Sequence, residues 1–252
     1  MNKYIIRKEF RESLYESKGL WMIVAAACIL TGLCFLITNM KEGSVLAQSD
    51  IMQYAIKAVM FLTLTVSMVL GSSSFVAERE ENTMESLLLT PVSKLSLTMT
   101  KYIGVLIIGF LLYIVSIPYL IAIGAGSGMI PSAIFITFFG GLLLLIAFVA
   151  VSLLFSIVMK SSKASILAAI LVMIVLTFPA MIQGIFKLSP VGTFILKIDP
   201  VACCFNMMSK MLTDRAAFLT LGGYILPLVI FAVLCLAAMV AASRMIALRG
   251  EK

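Results

Sequence analysis

The stretch 75-FVAEREENTMESLLLTPVSKLSLTMTKY-102 is the long polar interruption in the first half of an otherwise oily chain. Four carboxylates, Glu78, Glu80, Glu81 and Glu85, crowd its front. Asn82 followed three residues later by Glu85 predicts a helix start, with Asn as N-cap and Glu reaching back to the free backbone N–H. Acidic residues in that first turn also suit the positive end of the helix dipole. Met84, Leu87 and Leu88 fall at i, i+3 and i+4 and make one apolar edge. Thr90-Pro91 ends the helix, because the residue before proline is pushed out of the helical region. The stretch therefore predicts a short helix between two membrane spans, acidic at its entry and apolar along one edge. A solvated loop between spans is the plainer reading, and the residues alone leave both open.

Working outward, composition sets the class. The 252 residues are 62% hydrophobic and 12% charged, where soluble domains carry roughly 25% charge. A water-soluble domain is excluded, and the question becomes how often the chain crosses a bilayer, each crossing needing about 20 apolar residues. Histidine is absent, which removes the commonest metal ligand and general base. The net charge of +7 reports orientation in a membrane protein rather than nucleic-acid binding.

Upstream of the stretch, residues 1–18 place Ile6, Phe10 and Leu14 every four residues. Lys3, Arg7, Lys8, Arg11 and Lys18 cover the other sides. That pattern predicts an amphipathic helix in the cytoplasmic interface, its bases among anionic headgroups. A first span covers about 19–37. Ala25-Ala26-Ala27-Cys28 faintly resembles a lipoprotein cleavage site, but the apolar run continues unbroken past it, which argues against cleavage. A polar loop over 38–53 leads to the second span, about 54–77. There Thr63, Ser67, Gly71 and Ser74 step along one face toward Glu78. Such a stripe can line a translocation path, or let helices pack closely in lipid.

Downstream, spans are expected at about 103–123, 131–158, 164–185 and 221–243. Residues 186–220, broken by Pro190 and Pro200, are too polar to cross and read as an external cap with one or two short or re-entrant helices. With the N-terminus inside, 13 of the 19 Lys and Arg residues fall on the inner side. The positive-inside rule then puts both termini, and the stretch 78–101, in the cytoplasm.

Several chemistries are missing. No span carries a central ionisable residue, Lys57 lying near an outer end, so the chain is a poor carrier of its own coupling ion. It has no Gly-rich phosphate loop ending in Gly-Lys-Ser/Thr. No catalytic residue, cofactor site or metal site is expected. Cys28, Cys34 and Cys235 read as packing residues within spans. Cys203-Cys204 read as two free or variably oxidised thiols, since a vicinal bridge is strained.

The run from Glu78 to Ser93, followed by Lys101, resembles the type-2 ABC exporter permeases. Their usual wording here is an acidic residue, Arg-Glu, Gly- or Asn-Thr, Glu-x-Leu-Leu, Pro-Val-Ser, then a Lys opening the next span. Glu80, Thr83, Glu85, Leu87, Leu88, Pro91, Val92, Ser93 and Lys101 match position by position. The resemblance implies an all-α integral membrane protein in the cell membrane. It would have six transmembrane helices, an N-terminal interfacial helix, a cytoplasmic coupling helix and a short external re-entrant segment before the last span, all in one transmembrane domain. It implies a permease subunit of an ATP-driven exporter, forming half of a translocation path. It would pair with an identical or related permease and couple to two copies of a separate ABC ATPase that holds the ATP and Mg. Glu78, Glu81, Thr83, Met84, Glu85, Leu87, Leu88 and Pro91 would dock the ATPase, and Thr63, Ser67, Gly71 and Ser74 would line the path. Membrane lipids, and no nucleic acid, complete the partners. The alternative is an ATPase-independent channel or scaffold that recruits a partner through the acidic loop.

Overall fold

Each apolar run becomes a helix because a chain in hydrocarbon must satisfy its own backbone N–H and C=O groups. The computed structural model describes residues 19–39, 45–81, 93–214 and 221–244. The regular elements among them are nine helices: α1 (Gly19–Asn39), α2 (Val45–Glu80), α3 (Lys94–Gly124), α4 (Ile130–Val158), α5 (Ser162–Met181), α6 (Gln183–Phe186), α7 (Pro190–Ile198), α8 (Pro200–Leu212) and α9 (Gly222–Ser243). Six of them, α1 to α5 and α9, are long and apolar enough to cross a membrane. The expected interfacial helix over 1–18 and the short helix over 82–90 lie outside the described residues.

The helices outrun the apolar spans. Val45 already belongs to α2, so the loop expected over 38–53 is helical in its second half. Likewise α3 begins at Lys94, its start capped by the Ser93 hydroxyl accepting from the Ser96 N–H at 3.2 Å. Hydropathy marks where lipid is met; capped backbone bonding carries a helix further into polar sequence. At roughly 1.5 Å per residue, the 36 residues of α2 span roughly 54 Å, well beyond a ~30 Å hydrocarbon core. The fifth helix does the opposite and stops at Met181, short of the expected 185. Pro179 lies in its last turn and Ile182 leaves helical geometry at ψ 37°.

The central pair is α2 and α4, the two most enclosed helices, with α3 and α5 packed against both, α9 against α4, and α1 outermost. Close approach rests on small residues. A side chain on Gly71 of α2 would strike the Ser152 hydroxyl of α4, so glycine here sets the helix spacing. Tyrosine hydroxyls then bond α3 to α4: Tyr102 donates to the Ile146 carbonyl at 3.0 Å and Tyr113 to that of Gly141 at 3.1 Å. The turn from α3 to α4 is tight because Gly126 and Gly128 take φ of 85° and 66°.

The segment expected to be a cap goes further into the protein than that word implies. Asp199 divides it, capping α8 by accepting from the N–H groups of Val201 and Ala202 at 3.3 and 3.1 Å. Across that point α7 and α8 bend by 88°. Helix α8 then packs among α2, α4, α5 and α9, burying Val201, Cys203, Cys204, Met207 and Met208. Gly140, well inside α4, is its seat: a Cβ there would lie 2.8 Å from Cys204 Sγ. The two cysteines are thiols, not a bridge. Two cation–π contacts tie α8 to its neighbours. Lys57 Nζ of α2 stands 5.2 Å from the Phe205 ring, and Lys210 Nζ stands 5.1 Å from the Tyr224 ring of α9.

Candidate functional site

The polar residues converge where α2 ends. Consecutive helical residues diverge by about 100°, so Glu78, Arg79 and Glu80 leave α2 in three directions. Each meets a different helix.

Glu78 turns inward. Its carboxylate pairs with Lys101 of α3, a buried lysine whose Nζ also donates to the Ser74 carbonyl at 3.4 Å and stands 5.3 Å from the Phe75 ring. Glu78, expected on the ATPase-docking surface, makes this ion pair within the bundle. An ammonium buried at this depth needs a carboxylate facing it.

Arg79 meets the end of α4. Its guanidinium donates to the carbonyl of Met159 at 3.0 Å and to that of Ile157 at 2.7 Å. These belong to the last turn of a helix, where carbonyls lack intrahelical donors and the dipole favours a cation. Glu80 meets the start of α5. Its carboxylate accepts from the Ser162 backbone N–H at 2.9 Å and from the Ser162 hydroxyl at 2.6 Å. The N-cap residue Ser161 makes no side-chain cap bond of its own, so Glu80 supplies the missing acceptor from another helix. An anion at a helix start is again the favourable sign.

One turn deeper the same helices are joined a second time. The Ser156 hydroxyl of α4 accepts from the N–H groups of Phe75 and Val76 at 2.8 and 3.3 Å. The Ser165 hydroxyl of α5 donates to the Ser72 carbonyl at 2.7 Å. The end of α2 is thereby fastened to α3, α4 and α5 together.

The other expected site residues fall as follows. Glu81 is exposed just past the end of α2, its N–H donating to the Ala77 carbonyl at 2.9 Å. Thr83, Met84, Glu85, Leu87, Leu88 and Pro91 lie outside the described residues. Of the stripe on α2, Thr63 and Ser67 are buried and Gly71 abuts Ser152. Ser67 lies so near Gly109 of α3 that a Cβ there would come within 2.7 Å of its hydroxyl. Ser74 is half-buried, its hydroxyl donating to the Leu70 carbonyl at 2.8 Å. Within one chain, three of the four residues are thus enclosed, Ser67 beside α3 and Gly71 beside α4. Sequence reading missed Arg79, Glu80 and Ser162 as a set. The visible signal was the alternating charge of Glu78-Arg79-Glu80, which one solvated acidic cluster would not need.

Among the described residues, an all-helical bundle with six candidate spans defines a multi-pass membrane protein. Residues 36–241 match the family described as ABC-2 family transporter protein. The chain belongs to that family, the membrane components of ABC transporters. No curated protein matches it.

Proposed function

We propose that this chain is the permease subunit of an ATP-driven exporter in the cell membrane, with both termini cytoplasmic. It pairs with an identical or related permease to form a translocation path. It takes its energy from two copies of a separate ATPase that bind ATP and Mg, through the segment that begins at Glu81. What carries this reading is the anchorage of that segment's root: a helix whose last three charged residues hold three neighbouring helices is built to pass on force applied just beyond it. An acidic, apolar-edged helix suits a groove on a soluble partner, with Met84, Leu87 and Leu88 in the groove, Glu81, Thr83 and Glu85 toward its rim, and Pro91 ending the contact. Glu78 is left out of the docking set because it faces Lys101. For Thr63, Ser67 and Gly71 to meet cargo, α2 has to part from α3 and α4 during the cycle.

The docking test is Leu87→Asp with Leu88→Asp. Burying two carboxylates in an apolar contact without partners is costly, so the ATPase is expected to be lost from the purified complex, by at least about tenfold. Insertion into the membrane is expected to be unaffected. A complex that survives the change would refute the docking assignment.

A further inference from the structure

We propose that Arg79 and Glu80 are positioning residues that deliver movement of the segment following α2 into α4 and α5. They do so by grasping the turn 159–161 from both sides. The inference rests on the reading of that segment as the ATPase-docking element, and it assigns a role to two residues outside the docking set.

Five observations converge on it. First, the two side chains bind opposite flanks of one turn, Arg79 on the carbonyls of Ile157 and Met159 and Glu80 on Ser162. Second, each charge matches the helix end it touches, cation at the α4 C-terminus and anion at the α5 N-terminus. Exchanged, both contacts would be repulsive. Third, the bonds are multiple: two carbonyls for the guanidinium, and an amide and a hydroxyl for the carboxylate. A multiple charge-assisted contact fixes orientation as well as distance. Fourth, α5 has no cap from its own Ser161, so its first turn depends on a residue of α2. Fifth, Glu80 is the last residue of α2, and both it and the next residue, Glu81, are exposed at the end of the bundle. A push on the segment therefore reaches Glu80 and Arg79 first, and through them the ends of two helices. The deeper bonds from Ser156 and Ser165 hold α2 beside α4 and α5, while the outermost turns of α4 and α5 are each reached by one side chain, Arg79 or Glu80. Helix α5 continues through α6 and α7 to α8, which lies among the helices at the opposite end of α2 and α4. The grasped turn thus starts a covalent route from one end of the bundle to the other.

The test is hydrogen–deuterium exchange of the full permease–ATPase complex, without nucleotide and trapped with ATP, Mg and vanadate. The reading is the nucleotide-dependent difference at three places: residues 82–92, the last turn of α4, and residues 163–170 of α5. In the native chain all three are expected to respond. In Glu80→Ala the response at 163–170 is expected to fall by at least about fivefold, while those at 82–92 and in α4 persist. In Arg79→Ala the loss is expected in α4 and not in α5. Glu80→Gln, which keeps an acceptor for the Ser162 N–H, is expected to retain part of the α5 response. That graded, helix-by-helix selectivity is what general loosening of the fold does not produce. If both alanine variants keep every response, or each lowers all three alike, the proposal is overturned while the docking reading stands. If 82–92 of the native chain fails to respond to trapped nucleotide, both are overturned.

Discussion

At the scale of single residues, the end of α2 shows how position on a helix overrides composition. Glu78 and Glu80 are two residues apart, yet one faces a buried lysine and the other a helix N-terminus. Lys101 is the more exacting of these placements. Removing one member of a buried ion pair typically costs about 3–5 kcal/mol, whereas removing both is often nearly neutral. Partial exposure of Glu78, at 20% for its side chain, places the expected loss toward the lower figure. Lys101→Met is therefore expected to lower the thermal unfolding midpoint of the purified protein, and Lys101→Met with Glu78→Gln to recover most of the loss. Equal midpoints for Lys101→Met and the native chain would show that the pair contributes nothing. Residue roles of this kind were only half legible beforehand. The match of Glu80 and Lys101 to a family wording flagged both positions but not what they touch. Arg79 fell within the same wording and in the count of inner positive charges, with no partner indicated. Its partners, and those of Glu80, are some 80 residues away, and a side chain's tertiary partner leaves no local pattern.

At the scale of elements, the long helices were the most legible feature because a bilayer sets a length that any apolar run can be measured against. Their ends were less so: Ser93 caps α3 ten residues before the expected span, since a cap answers to backbone geometry and not to hydropathy. Helix α8 was the least legible. Asp199 and Pro200 mark its border as a break, yet those same residues start the helix, and its burial depends on Gly140 of α4 leaving room for Cys204. The stripe on α2 had two readings, and Gly71 favours packing. Gly71→Ala is expected to destabilise the bundle by about 1–3 kcal/mol, an overpacking cost. Because the obstructing atom is chiefly the Ser152 hydroxyl, Ser152→Ala in the same chain is expected to restore much of the stability. Thermal unfolding of the two single variants and the double variant forms a cycle that isolates the contact. Additive losses would show that Gly71 and Ser152 do not set the α2–α4 spacing.

At the scale of the whole molecule, the chain is a bundle with different business at its two ends. One end gathers the ends of α2 and α4 and the starts of α3 and α5 into a single polar junction. The other receives helix α8, held between Lys57 of α2 and Tyr224 of α9. That asymmetry fits a machine worked from one side. Six spans and membership of the transporter family followed from apolar length and from one short polar wording, because lipid and a docking partner each constrain local sequence strongly. Cargo imposes no such local constraint and stayed illegible. The most direct test of the central claim is purification of the chain from its native membrane in mild detergent, with identification of what accompanies it. A stoichiometric soluble protein carrying a Gly-x-x-x-x-Gly-Lys-Ser/Thr loop is the predicted result. A chain that emerges alone, or only with copies of itself, under conditions that keep other membrane complexes intact would contradict it and favour a self-contained channel or scaffold.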